Sequence, residues 1–466
     1  MIFNNFQDLA SYHVRIGVGT LSTSPQYKSY NLLVDTGSDL TWLQCDGCRT
    51  HHCFKSVDEP FPSSASSSYK PLPCRNHPLC EADCEGAFCA FITTYGDGHT
   101  TVQGVLASET FSFESSTGPP CSRELVRDLV FGCNMDNTGV AFDKDGNQMY
   151  GILGLGFGSR SFVTQLQTAG QSDGRFSYCF RLEPQAGPTS SFLKFGADIV
   201  EKPDLSVTAL RKYNDASLYH VNLLGMSIMG GRLNIPPEVF AVQPDRTGGT
   251  IIDSGQPMTT LLKPAYFVLV RGIEAVFSAM GEAIVRKIPS RFPPLEPFYE
   301  VVNKQAFTGY PWITFHFDND ADLNLEYGAT FFVVENESGN MEFCLAIRPE
   351  LDNHGQILRQ NGEDEGMCDL REAIYGLRYR KVMDVEHLPS VNDTVKELPV
   401  GKEIIIARLN TPTKDDQDPD DRCALPTVSP KESFQAVVTL ISDLLQNERK
   451  YTECGVLQKL EMRFRP

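Results

Sequence analysis

Two short stretches constrain this chain more than any other feature: Leu32-Leu33-Val34-Asp35-Thr36-Gly37-Ser38 near its start and Thr250-Ile251-Ile252-Asp253-Ser254-Gly255 past its middle. In each, an apolar run reads as a buried strand, and a small hydroxyl residue and a glycine follow the Asp. The Ser/Thr-Gly pair lets the backbone turn tightly while its donors face the carboxylate. A single such tripeptide is an ordinary surface turn. Two copies, each behind a buried-strand signal, point instead to a pair of carboxylates presented at strand ends.

Paired carboxylates suit hydrolysis by general acid and base catalysis. Held close together they cannot both ionise at ordinary cost, so they share one proton. One acts as base towards a water and the other as acid towards a carbonyl; the water is the nucleophile, and no metal or other cofactor is expected. Asp35 and Asp253 are the candidate catalytic residues. Thr36, Gly37, Ser38, Ser254 and Gly255 are the candidates for orienting their carboxylates. The excess of 59 acidic over 41 basic residues argues against nucleic acid and anionic membrane as partners, since either demands a basic patch. At 466 residues the chain exceeds what one core usually organises, so two or three domains are expected. No run approaches the length of a membrane span, which reads as a soluble protein.

Of 14 cysteines, ten fall between Cys45 and Cys179. The cluster Cys45, Cys48, Cys53, Cys74, Cys80, Cys84 and Cys89 contains one Cys-x-x-Cys and lies beside His51-His52, so zinc has to be weighed. A zinc site usually pairs two short ligand doublets, and only one is present, which favours disulfides. Disulfides imply an oxidising compartment. The opening residues Met1-Ile2-Phe3-Asn4-Asn5-Phe6-Gln7-Asp8 have neither the basic start nor the apolar core of a signal peptide, so either the sequence begins after a lost leader and pro-segment or its gene model is incomplete.

The two Asp motifs resemble those of the aspartic endopeptidases, the pepsin-like superfamily, and more closely its nepenthesin-type plant branch. Ser38-Asp39-Leu40-Thr41-Trp42-Leu43-Gln44-Cys45 closely matches that branch, and the Cys-, Ser- and Pro-rich stretch 45–89 resembles its disulfide-rich insert. The resemblance implies an all-β, bilobal fold in which each lobe donates one Asp to a central cleft. It implies that Ser38 orients Asp35. It also makes Tyr95-Gly96-Asp97-Gly98-His99-Thr100 the flap hairpin, with Tyr95, Gly96, Asp97 and Gly98 closing over substrate. Tyr150-Gly151-Ile152-Leu153-Gly154-Leu155-Gly156 resembles the apolar-apolar-Gly crossing that passes behind the first Asp loop, where glycine lets two backbones meet. The implied partner is an extended peptide or protein substrate with apolar side chains beside the scissile bond, taken by a monomer in an extracellular or vacuolar compartment. Trp42 and His316 read as structural rather than catalytic. In the family a cysteine near Pro297-Phe298 partners the one at Cys344; this sequence has none there, leaving Cys344 free or paired with the tail.

The lobes are expected at 11–200 and 201–347. In the second, Pro264 opens a helix with Tyr266, Val270, Ile273 and Phe277 on its buried stripe. Gln256 stands where the family has a short hydroxyl residue that would bond the carboxylate, so activity is expected to be weakened or its pH profile moved. Beyond about residue 348 the resemblance ends, and the second lobe reads as lacking its closing crossing and strands. Ile404-Ile405-Ile406-Ala407 reads as a coincidental buried strand. The tail 348–466 is expected to be α/β or partly disordered, with an acidic linker at 415–421 and a capped helix from Ser429 carrying Phe434, Val437, Val438, Ile441, Leu444 and Leu445. Two rivals to an active protease follow from these departures. One is a catalytically weakened binding protein on the same scaffold, related to plant glycosidase inhibitors; the other is a defective gene product.

Overall fold

In the computed structural model, residues 12–350 are described apart from 49–52, 76, 81–83, 96–99, 115–122, 140–146, 181–191, 200–204, 212, 214–216, 244–247, 257, 291–295, 326 and 337–338. Two tail segments, 393–397 and 403–407, are described as well. Regular structure is mostly β; the longer helices are Phe162–Thr168, capped by the Ser161 hydroxyl, and Lys263–Met280.

The apolar run before Asp35 is a strand, Lys28–Asp35, with Leu32 and Val34 fully buried and Leu33 nearly so. Cover on both faces is why the run is continuously apolar instead of alternating. Its antiparallel neighbour is His13–Val18. On the other side lies Met149–Gly154, parallel to it and with Gly154 opposite Asp35. That strand also runs antiparallel to Trp42–Gln44, which lies parallel to Arg123–Thr138. The crossing expected from 150–156 therefore passes directly behind the Asp35 loop. A Cβ on Gly154 would come within 2.3 Å of the Asp39 carbonyl oxygen, so only glycine fits. The hairpin of Thr101–Glu114 with Arg123–Thr138 carries the sheet outward to Phe88–Thr94, the strand that leads to Tyr95.

The insert cysteines are cross-linked as Cys45–Cys133, Cys48–Cys53, Cys74–Cys84 and Cys80–Cys89. The first staples the strand after Asp35 to the central hairpin; the others close short loops in a segment too polar to hold itself by burial. Cys344 is buried and outside any disulfide, directly opposite Phe298, the place where a partner cysteine is missing. Burial pushes its thiol up to about 12.

In the second lobe Thr250–Ile252 leads into Asp253 and pairs with Tyr219–Val221. Thr259–Leu261 lies parallel to Ile347–Pro349, as Trp42–Gln44 lies parallel to Arg123–Thr138. Among the described residues, no strand takes the place between Thr250–Ile252 and Thr259–Leu261 that Met149–Gly154 takes between Lys28–Asp35 and Trp42–Gln44. Helix Lys263–Met280 buries Ala265, Tyr266, Leu269, Ile273 and Phe277, and Phe277 sits 4.7 Å from Tyr299 and 5.1 Å from Phe343 between ring centroids. Leu269, not Val270, completes the fully buried stripe; Val270 packs against the core from its edge. His316 is structural here, its two ring nitrogens 2.6 Å from Ser227 Oγ and 2.6 Å from Asp322 Oδ1 within one sheet.

The structure departs from the sequence reading at the tail. Glu403–Ala407 is no stray strand: it pairs antiparallel with Leu205–Ala209 and with Asp393–Glu397, which in turn pairs with Phe176–Phe180. A five-stranded sheet results, with a tail hairpin inserted between Phe176–Phe180 and Leu205–Ala209. A hairpin that satisfies the open edges of two strands needs backbone groups, not glycines, so no apolar-apolar-Gly signature marks it in the sequence. The acidic linker and the helix from Ser429 lie outside the described residues.

Candidate active site

Each Asp stands at the end of a buried strand and is met by the turn behind it. The Gly37 amide donates to Asp35 Oδ1 at 2.9 Å, and the Gly255 amide donates to Asp253 Oδ1 at 2.8 Å. Ser38 donates its hydroxyl to Asp35 Oδ2 in a very short bond. Thr36 and Ser254, expected to orient carboxylates, reach across to the opposite loop instead. The Thr36 amide donates to Ser254 Oγ (3.1 Å) and the Ser254 amide to Thr36 Oγ1 (2.9 Å). Their hydroxyls then donate to carbonyls of the facing strands, Thr36 Oγ1 to Ile252 (3.3 Å) and Ser254 Oγ to Val34 (2.8 Å). The near-two-fold exchange locks the two loops to each other and so fixes the distance between the carboxyls.

The glycines bring those carboxyls together. A Cβ on Gly37 would lie 2.4 Å from Asp253 Oδ2, and one on Gly255 would lie 2.3 Å from Asp35 Oδ1. Any side chain at either position would occupy the space of the partner carboxylate. Burial raises the proton affinity of Asp35, while its bonds from Ser38 and Gly37 pull the other way. Asp253 is held well above the usual carboxylate range, first by burial and next by the charge of Asp35. The pair thus meets the condition for sharing one proton.

Tyr95 lies at the edge of this site. Trp42 Nε1 donates to the Tyr95 hydroxyl at 2.6 Å, and that hydroxyl lies beside Ser38. Burial, then the charge of Asp35, raises the Tyr95 phenol. Gly96, Asp97 and Gly98 lie outside the described residues. The sequence reading missed Trp42 as a site residue; the signal lay in a fully buried indole, whose N–H needs an acceptor. In the second lobe Gln256 does not reach Asp253. Its Nε2 faces Thr260 Oγ1 at 3.4 Å, an oxygen also approached by Arg348 Nε at 3.4 Å.

A family model described as "Xylanase inhibitor N-terminal" matches residues 12–197, and one described as "Xylanase inhibitor C-terminal" matches residues 218–358. Aspartic proteinase nepenthesin-2 of Nepenthes gracilis is 35% identical over 55% of this chain and 53% of its own length, so the chain spans about half of that protein. Aspartic proteinase nepenthesin-1 of the same plant is 32% identical over 75% of this chain and 74% of its own length. Protein ASPARTIC PROTEASE IN GUARD CELL 2 of Arabidopsis thaliana is 30% identical over 74% and 67%. Basic 7S globulin from soybean superposes with a TM-score of 0.58 at 16% identity, covering 86% of this chain and 93% of that one, which shows the fold alone. The chain belongs to the pepsin-like aspartic proteases, in their nepenthesin-type plant branch.

Proposed function

We propose that this chain is an aspartic endopeptidase in which Asp35 and Asp253 divide acid and base duties. The observation that carries the reading is the reciprocal packing of each turn glycine against the opposite carboxyl, which leaves the two acids within reach of one water. Asp253, the stronger holder of the proton, donates to the scissile carbonyl oxygen while ionised Asp35 takes a proton from the attacking water. The C–O bond forms, the carbonyl π pair moves onto oxygen, and a neutral tetrahedral diol results. Asp35 then passes its proton to the amide nitrogen, the C–N bond breaks, and Asp253 recovers its proton from the collapsing diol. Ser38 steadies the ionised state of Asp35, and the Trp42–Tyr95 bond holds the base of the flap.

The substrate is an extended peptide or protein, with a preference for apolar side chains beside the scissile bond. The four disulfides support an oxidising compartment, extracellular or vacuolar. The test is peptide hydrolysis at acid pH, blocked by a statine-type inhibitor whose hydroxyl sits where the tetrahedral oxygens develop. Asp35→Asn should abolish turnover, and wild-type turnover in that variant would refute the assignment. The rival, a binding protein without catalysis, draws on the xylanase-inhibitor descriptions of the two family models. Intact, mutually packed carboxyls favour the enzyme. A folded wild-type chain that binds the statine inhibitor yet cleaves no peptide would decide for the rival.

A further inference from the structure

The two lobes treat their carboxylates unequally. In the first, Trp42 donates to the Tyr95 hydroxyl beside Ser38, and the Ser38 hydroxyl donates to Asp35 Oδ2. In the second, Thr260 stands as far past Asp253 as Trp42 stands past Asp35, and Gln256 replaces Ser38. Arg348 lies opposite Thr260 where Gly132 lies opposite Trp42. There the donors converge on Thr260 Oγ1, from Arg348 Nε and from Gln256 Nε2, and stop short of the carboxylate. The other end of the Gln256 amide, Oε1, is a buried acceptor without a partner, which cannot stabilise an anion.

We propose that Gln256 is a positioning residue whose engagement with Thr260 leaves Asp253 without an outer hydroxyl donor, so that Asp253 keeps the shared proton and proteolysis extends towards less acidic pH. The proposal rests on the acid–base reading of the pair given above. Asp253 keeps a backbone donor, the Gly255 amide. The charged and titratable groups facing it do not replace the missing bond. Asp35 opposes its ionisation across the cleft, and Tyr95 is a neutral phenol. Arg348, on the strand beside Thr260, is buried, and its charge is met by Glu350. A donor bonded to a carboxylate favours its charged form, so its absence moves the alkaline limb of activity, where the shared proton leaves, to higher pH.

The experiment compares kcat/KM against pH for the full chain and for Gln256→Thr, which restores a hydroxyl in the turn. The alkaline midpoint is expected to fall by about one pH unit. At one unit above the wild-type midpoint that is roughly a tenfold lower kcat/KM. Ser38→Ala should move the acid midpoint upward instead. A purely structural Gln256 would change kcat and leave both midpoints in place. Should Gln256→Thr fail to fold, Gln256→Ser supplies the hydroxyl in a smaller side chain and should lower the alkaline midpoint in the same way; an unmoved midpoint overturns the proposal. Asp35→Asn separates the two levels. Full turnover in Asp35→Asn defeats the acid–base reading itself. A dead Asp35→Asn, together with unmoved midpoints in Gln256→Thr, defeats only the role given to Gln256.

Discussion

Replacing Ser254 by Ala tests whether the cross-lobe exchange, rather than either Asp loop alone, sets the catalytic distance. Ser254 Oγ accepts from the Thr36 amide at 3.1 Å and donates to the Val34 carbonyl at 2.8 Å. Thr36 and Val34 are both buried, so the truncation strands a backbone N–H and a backbone C=O out of reach of water. At ~1–3 kcal/mol for each unsatisfied group, a loss of about 2–4 kcal/mol in unfolding free energy is expected after partial relaxation. Thr36→Val removes the reciprocal pair, Ser254 amide to Thr36 Oγ1 and Thr36 Oγ1 to the Ile252 carbonyl. The double variant should then be more stable than the sum of the single losses implies, by on the order of 1 kcal/mol, because both break one network. Urea unfolding followed by intrinsic fluorescence gives the stabilities. Catalysis should suffer more than binding: loosened loops misplace the carboxyls, and a shift of ~1 Å can cost ~100-fold in kcat with KM little changed. Additive stabilities together with a kcat within about twofold of wild type would show that the loops are held by something other than this exchange.

The sequence exposed those features that depend on neighbours along the chain. A continuously apolar run followed by Asp-Thr-Gly must be a covered strand with a turn, and the cysteine spacing lacked a second metal doublet. What stayed hidden depends on partners far away in sequence. Thr36 and Ser254 are 218 residues apart, and nothing near either one says that its hydroxyl faces the other loop. Trp42 looked like packing because its ring is packing; only its N–H, aimed at Tyr95, makes it part of the site. The departure at Gln256 was legible as a missing hydroxyl, but the Thr260 oxygen it faces is shared with Arg348, which only the parallel pairing of Thr259–Leu261 with Ile347–Pro349 brings there. The tail hairpin was illegible for a different reason. Its role comes from the open edges of Phe176–Phe180 and Leu205–Ala209, which any strand of suitable length could satisfy.

Removing the Cys45–Cys133 bridge, which spans 88 residues, should cost ~4–5 kcal/mol against about 2 kcal/mol for Cys48–Cys53, which spans 5; equal losses in denaturant unfolding would contradict the loop-entropy argument. Trp42→Phe keeps the packing but frees Tyr95, so kcat/KM should fall about tenfold while the pH midpoints of the Asp pair stay in place. Asp253 has a folded-state pKa above its unfolded one, so its contribution to stability is fully present below pH ~4 and is lost as pH rises towards the folded value. Asp253→Asn should accordingly flatten the fall in stability above pH ~4, and an unchanged slope across a pH series of urea melts would refute this. Truncation after Glu350 and truncation after residue 410 isolate the contribution of the tail hairpin. Both lack the C-terminal helical sequence, but only the shorter chain lacks Asp393–Glu397 and Glu403–Ala407. Without that hairpin, Phe176–Phe180 and Leu205–Ala209 each lose a paired edge, and exposed edges recruit other chains. The 410 truncation should therefore remain monomeric and close to wild type in stability, while the 350 truncation should aggregate or unfold at lower denaturant. Equal behaviour of the two in size-exclusion chromatography and urea unfolding would mean that Phe176–Phe180 and Leu205–Ala209 do not need the tail hairpin to hold their sheet.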